Sequence, residues 1–312
     1  MPRIYIAGHT GMVGGALCRT AESRGYHDII TRTHTQLDLL DPQAVEELFA
    51  TEKPDWVFLA AAKVGGIYAN NIYRADFLLE NLKIQNNIIE SAYKNNVTKL
   101  LFLGSSCIYP KNAPQPIKET DLLTSPLEPT NEPYAIAKIA GIKLCGAFND
   151  QYGTNFISVM PSNLYGIGDN YHLENAHVLP MLIRRFHEAK INNDISVKVW
   201  GTGKPRREFL FADDMADACF YIMEKYDAAD TGELINVGTG EDISIKELAL
   251  LVKKIVGFEG DTVFDKSKQD GTMLKRMDVS RLDKLGWKFK TAFEDGIRQI
   301  YDDFLNNPDL RK

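Results

Sequence analysis

Several things are scarce in this chain. Its 312 residues include only four cysteines, Cys18, Cys107, Cys145 and Cys219, scattered with no C-x-x-C pair. That spacing excludes a disulfide framework and a cysteine-built zinc site, and fits reduced thiols in a cytoplasm; no metal is expected. There is no basic excess either, since 36 lysines and arginines stand against 42 acids for a net charge of −6. Phosphate neutralisation needs a cationic face, so nucleic acid is excluded as a main partner. Long apolar runs are missing: stretches such as Trp56 to Ala62 fall far short of the ~20 residues of a membrane span. The first eight residues are too briefly apolar for a secretory signal. Internal repeats and low-complexity tracts are also absent. What remains is an ordinary soluble composition, 44% hydrophobic and 25% charged, long enough for one large domain or two unequal ones.

The first half alternates strand and helix. Ile4 to Ala7, Asp28 to Thr31, Trp56 to Ala61 and Leu100 to Leu103 read as strands. Met12 to Arg24, Asp41 to Glu52 (with Asp41 as N-cap and Pro42 at N1) and Ala75 to Asn95 read as helices between them. This order predicts an α/β fold, a doubly wound parallel sheet covered on both faces. Six of the 13 prolines fall between Tyr109 and Pro133, which excludes a regular helix there and marks a long functional loop. A helix from Tyr134 to Tyr152 and a strand from Ile157 to Met160 follow. Beyond residue 165 strands become fewer, and Val178 to Ala189, Asp214 to Tyr226, Ser244 to Val256 and Ala292 to Leu305 read as helices, the third opened by a Ser244–Glu247 capping box. The expected division is a Rossmann-like domain over 1–165, joined by a later strand and helix from roughly 205–240, and a smaller mixed α/β substrate-binding lobe over 166–312.

Gly8-His9-Thr10-Gly11-Met12-Val13-Gly14 lies between the first strand and the first helix. Glycines there permit a tight turn and let a pyrophosphate approach backbone N–H groups at a helix N-terminus, which predicts a dinucleotide site. The second strand ends in Thr31-Arg32-Thr33-His34, without the acid that holds an NAD ribose. Arg32 and His34 instead suit a 2′-phosphate, so NADP(H) is the expected cofactor, with Asp38 and Leu39 suited to the adenine side. Tyr134 and Lys138 form Y-x-x-x-K, four residues apart and so on one helix face. An ammonium beside a phenol lowers its pKa from ~10 and prepares it for proton transfer. Ser105, at the C-terminal end of the fourth strand, stands where ligands bind in open α/β sheets.

Together these features resemble the extended short-chain dehydrogenases/reductases that act on nucleotide sugars. Longer strings narrow the resemblance to the 3,5-epimerase-4-reductases of GDP-4-keto-6-deoxy-mannose. They are Ala60-Ala61-Ala62-Lys63-Val64-Gly65-Gly66, Gly104-Ser105-Ser106-Cys107-Ile108-Tyr109-Pro110, Glu128-Pro129-Thr130-Asn131-Glu132-Pro133-Tyr134-Ala135-Ile136-Ala137-Lys138 and Asn163-Leu164-Tyr165-Gly166. The resemblance runs from residue 3 to about 305. It implies that NADPH reduces C4 with Ser105, Tyr134 and Lys138 in attendance, and that a cysteine and a histidine, Cys107 and His177, exchange protons at C3 and C5. A thiol's ordinary pKa of ~8.5 suits such exchange. If the fourth strand continued, Cys107 would point the same way as Ser105.

The same resemblance places Leu103, Gly104, Pro161, Ser162, Asn163, Leu164 and His177 along the cofactor. It favours Arg185, Trp200, Arg207 and Asp270 as substrate contacts, chosen from a set in which Arg184 and Arg206 are also able to grip a pyrophosphate. Some relatives carry arginine where this chain has Thr10 and His34, which leaves Arg32 as the nearest fixed cation for the 2′-phosphate. The competing readings are a nucleotide-sugar 4-epimerase, a 4,6-dehydratase and a silent cofactor-binding scaffold. Cys107-Ile108 stands where a dehydratase carries an acidic pair, and a scaffold has no need of the serine, tyrosine and lysine. By analogy of fold, helices 75–95 and 134–152 are expected to pair in a homodimer.

Overall fold

The computed structural model describes residues 1–65, 67–172, 176–268, 270–308 and 310. Gly66, Glu174 and Asn175, which belong to strings quoted above or adjoin His177, lie outside the described residues.

The main sheet is built from β1 (Ile4–Ala7), β2 (Ile29–Ile30), β3 (Trp56–Leu59), β4 (Lys99–Leu103) and β5 (Phe156–Pro161), with Ile235–Val237 added beyond β5. All neighbours are parallel, and the order reads Ile235–Val237, β5, β4, β3, β1, β2. Strand order therefore reverses beside β1, the place where open α/β sheets leave a crevice for ligands. Alternate residues feed opposite faces. Tyr5, Val57, Leu59, Leu100 and Phe102 pack under helices Pro42–Glu52, Arg74–Lys94 and Glu132–Tyr152. Ile4, Ile6, Phe58, Leu101 and Leu103 pack under helices Met12–Ser23 and Ala212–Lys225. At ~25 cal/mol per Å² of apolar area, two such covered faces are the main source of stability.

Beyond residue 165 the expectation of fewer strands is corrected. Short strands of two to five residues, among them Ser196–Trp200, Arg206–Arg207, Phe209–Phe211, Ile243–Ser244, Asp261–Asp265 and Leu274–Lys275, form three small sheets. Runs of two or three residues carry no usable periodicity, which hid most of them; Ser196–Trp200 and Asp261–Asp265, five residues each, were missed despite their length. Asn163–Tyr165 is likewise a strand, parallel to Phe209–Phe211. A third core, with Tyr165, Leu179, Phe186, Val252 and Ile300, fills this part of the molecule.

The proline-rich segment is irregular, as expected, apart from a short turn at Glu119–Asp121; another at Ser106–Ile108 leads into it. Its end differs, because the helix starts at Glu132 and takes Pro133 into its first turn, where a missing N–H costs nothing. Ile117 ties this segment to the C-terminal part: its N–H donates to Arg276 O at 2.8 Å and its carbonyl accepts from Asp278 N at 2.7 Å. Ser244 caps helix Ile245–Val256 in the expected capping box.

Candidate active site

The glycine turn is tightly constrained at two of its three glycines. Gly8 has φ of +91°, and a Cβ there would lie 2.7 Å from Ala61 N. A Cβ on Gly14 would lie 2.0 Å from Gly8 O, so the helix can approach the turn only as glycine. Gly11 begins helix Met12–Ser23 with no side-chain cap and no acid in the first turn. The helix N-terminus is thus left open to an anion. Buried His9 Nδ1 has no hydrogen-bond partner among the described residues. A cradle closed to Cβ atoms and an orphaned buried nitrogen fit a bound dinucleotide phosphate. Thr10 is exposed, while Met12 and Val13 are half-buried in the first turn.

At the end of β2, Arg32 stands where expected but is not a free cation. Its guanidinium donates to Thr31 O at 2.8 Å and makes a short contact with Glu52, which also pairs with Arg3 at 2.6 Å. His34 is exposed, with Nε2 4.0 Å from Asp38. Leu39 packs against the core, and its carbonyl accepts from Asn87 at 2.8 Å.

Ser105, Cys107, Tyr134 and Lys138 come together at the C-terminal end of β4. The strand stops at Leu103, so the expectation that Cys107 follows Ser105 along a continued strand is corrected. Ser105 caps the Ser106–Ile108 turn, and Cys107 N lies 3.4 Å from Ser105 Oγ. The turn still brings Cys107 close enough to act electrostatically on Tyr134. Lys138 is buried at 3% exposure, and its Nζ donates to Leu103 O at 2.8 Å, 6.0 Å from the centre of the Tyr134 ring.

The electrostatics also differ from expectation. Burial raises the Tyr134 phenol well above its ordinary value, Cys107 adds to this, and a hydrogen bond with Ser105 opposes it. Burial lowers the Lys138 amine to about 7. The lysine does not lower the tyrosine here because desolvation acts on both and takes charge from the lysine first. Tyr134 is held as a protonated phenol.

Gly104, Pro161, Ser162, Asn163 and Leu164 line up beside this group through the sheet. Gly104 N donates to Val159 O at 2.9 Å, Ser162 N to Val237 O at 3.0 Å, and Asn163 Nδ2 to Glu208 O at 2.7 Å. A Cβ at Gly104 would strike Met160 Cε at 2.4 Å. Leu164 packs with Met12 and Val13 against the second core.

His177 is the N-cap residue of helix Val178–Ile191. Its ring reaches solvent yet is surrounded by protein, and that crowding, with the Lys275 ammonium, holds it below its ordinary pKa. No hydrogen bond joins it to Cys107 among the described residues.

The arginines fall into two kinds. Arg184 is committed to Glu188 at 2.6 Å and Tyr171 O at 3.0 Å, and Arg206 to Asp242 and Glu247. Arg185 and Arg207 have no carboxylate within ion-pair distance among the described residues. Arg185 lies 5.0 Å from the centre of the exposed Trp200 ring, and Arg207 Nη1 donates to Thr272 O at 2.6 Å. Burial pushes both guanidiniums down, a cost that a bound anion would relieve. Asp270 is exposed but occupied, accepting from Thr202 N at 2.8 Å and Thr202 Oγ1 at 2.6 Å. Sequence reasoning missed Glu208, a fully buried carboxylate in Arg206-Arg207-Glu208-Phe209. An acid directly before an apolar run was the signal that could have found it. No group of metal-ligating side chains is present among the described residues.

Residues 4–238 match the sequence pattern of the NAD dependent epimerase/dehydratase family. The chain belongs to that family. Within the epimerase/dehydratase family it is similar to putative GDP-L-fucose synthase 2 of Arabidopsis thaliana, 58% identical over 98% of this chain and 92% of the relative. It is 55% identical to GDP-L-fucose synthase of Escherichia coli K12, over 98% of both chains. Among solved structures it resembles a GDP-L-fucose synthetase from Naegleria fowleri bound to NADP. The TM-score there is 0.91 at 30% identity, covering 99% of this chain and 96% of the other.

Proposed function

We propose that this protein is an NADPH-dependent GDP-L-fucose synthase, which epimerises GDP-4-keto-6-deoxy-D-mannose at C3 and C5 and reduces it at C4. The observation that carries this reading is the convergence of Ser105, Cys107, Tyr134 and Lys138 at the end of β4, in a chain 55–58% identical to enzymes of that name. Residues 1–165, with the strand Ile235–Val237 and helix Ala212–Lys225, form the cofactor half.

NADP would lie along the glycine turn, with Lys138 and the segment Pro161–Leu164 beside its nicotinamide half and Arg32, His34, Asp38 and Leu39 toward its adenine half; when bound as NADPH it supplies the hydride for C4. The chain does the rest. Tyr134, kept protonated by burial, donates to the C4 oxygen, and Ser105 holds that oxygen in line. Lys138, anchored on Leu103 O, orients the ribose and restores positive charge beside the phenol when it takes up a proton. The C4 ketone acidifies C3 and C5, and Cys107 and His177 remove and return protons there. Arg185 and Arg207 grip the GDP diphosphate, Trp200 stacks on a ring, and Asp270 stands near the sugar.

The working unit is a homodimer in the cytoplasm. No described helix is long and apolar enough to cross a membrane. Helices Arg74–Lys94 and Glu132–Tyr152 lie side by side and form a groove of about 400 Å³ lined by Tyr93, Leu144, Phe148 and Tyr152. With exposed Leu79 and Ile136 on the same helices, this face suits a four-helix interface. Sedimentation equilibrium reads the assembly directly.

The deciding experiment is to incubate the protein with GDP-4-keto-6-deoxy-mannose and NADPH and identify the product by NMR. One NADPH consumed per GDP-L-fucose formed is expected. A product that retains the keto group, or turnover without net NADPH loss, overturns the assignment in favour of an epimerase; no turnover of this sugar, with GDP-mannose converted to it instead, would point to a dehydratase.

A further inference from the structure

We propose that Glu208 is a positioning residue for substrate binding: it fixes the Arg207 guanidinium by clamping the two strands that flank it. Strand Arg206–Arg207 is the middle of a three-stranded sheet, with Ile243–Ser244 antiparallel on one side and Leu274–Lys275 parallel on the other. Glu208 follows at once, and its side chain is 0% exposed. One carboxylate oxygen accepts from Thr239 N at 2.7 Å and Gly240 N at 3.1 Å, just before the first flanking strand. The other accepts from Met277 N at 2.7 Å, just after the second. The loop is shaped to this carboxylate, because a Cβ on Gly238 would come within 2.0 Å of its Oε1.

The link to Arg207 is short. Arg207 Nη1 donates to Thr272 O at 2.6 Å, and Thr272 leads into the Leu274–Met277 segment that Glu208 holds. If that segment slides, the acceptor that aims the guanidinium slides with it. Glu208 also carries the connection to the cofactor half, since its carbonyl accepts from Asn163 Nδ2 at 2.7 Å. No cation lies within ion-pair distance of this carboxylate among the described residues. Three backbone N–H groups, with the Ser162 side chain beside them, surround its two oxygens, a set that suits a carboxyl group and not an amide. A glutamine would turn an NH₂ toward at least one N–H.

The inference rests on Arg207 as a contact of the GDP diphosphate, and GDP itself is the probe. Calorimetry should show GDP binding weakened about tenfold in Glu208→Gln, with NADPH binding within about twofold of the parent. In steady state the KM for the GDP-sugar should rise while kcat holds within about threefold. Glu208→Asp, which keeps the charge, should recover part of the affinity, and it serves as the second variant if the glutamine form does not fold. The Arg207→Ala/Glu208→Gln double variant should bind GDP no more weakly than Arg207→Ala alone. Additive losses, or unchanged GDP affinity in both Glu208 variants, would overturn the proposal. If Arg207→Ala itself leaves GDP binding intact, the reading of Arg207 has failed instead.

Discussion

The two parts of this molecule position their functional groups by different means. In the main sheet, β1, β3, β4 and β5 run four to six residues in parallel register, and the ladder itself delivers Gly8, Ser105 and Ser162 to one edge. In the C-terminal part the strands run two to five residues, and buried side chains do the holding. Glu208 accepts from three backbone N–H groups there, and Asn236 and Asp214 reach over from the cofactor half to hold Asp278 O and the N–H groups of Lys290 and Thr291. A ladder spreads its constraint over many weak bonds. A buried carboxylate concentrates it in one residue, so single substitutions should reach further in the second part than in the first.

The largest effect tests the group gathered at the end of β4. Tyr134→Phe should slow NADPH oxidation ~10²–10⁴-fold while NADPH affinity, measured by fluorescence titration, stays near the parent's. Loss of cofactor binding as well would mean that the phenol also shapes the pocket. Next, Cys107→Ser should separate the half-reactions. Deuterium uptake from D₂O at C3 and C5 should fall by about two orders of magnitude, while reduction of the unepimerised ketone continues. Parent-like exchange in this variant and in His177→Gln would remove both residues from the epimerase role.

Moving to the arginines sharpens the contrast between committed and available cations. Arg207→Ala should weaken GDP binding about tenfold, whereas Arg206→Ala, which breaks a half-buried ion pair with Asp242 and an exposed one with Glu247, should change it less than twofold. Equal effects would abolish the distinction.

Lys138 shows a cost borne by the first part. Its amine is lowered to about 7, so the folded state carries the penalty in full below that pH and loses it as pH rises from about 7 toward the ordinary value of 10.5. Lys138→Met should therefore melt several degrees higher than the parent at pH 6.5, with the difference shrinking toward pH 10, and should bind NADPH more weakly. A melting difference independent of pH would show that the lysine is not held neutral. The smallest effect concerns Arg32. With its guanidinium already on Glu52, Arg32→Gln should shift the NADPH/NADH affinity ratio less than about threefold.

Legibility followed the same division. Strands such as Ile4–Ala7 and Lys99–Leu103 were readable because each is a short, almost wholly buried apolar run. Y-x-x-x-K was readable because helical spacing turns four residues into one face. The position of Cys107 was reached through a wrong premise, a continuing strand, since no local signal announces a 3-10 turn closed by Ser105. Commitment was illegible altogether. Arg184 and Arg185 are adjacent and identical in type, and only the fold tells which meets Glu188 and which meets Trp200.

The strand Ile235–Val237 has a consequence for how the chain is made. It covers the outer edge of β5, and Ile117 in the proline-rich segment waits for Arg276 and Asp278. A ribosome that has released residues 1–165 has therefore produced Ser105, Cys107, Tyr134 and Lys138, but with one sheet edge bare and the segment beyond Cys107 untethered. Such a nascent chain is exposed to edge-to-edge association and is catalytically unfinished until its last quarter emerges.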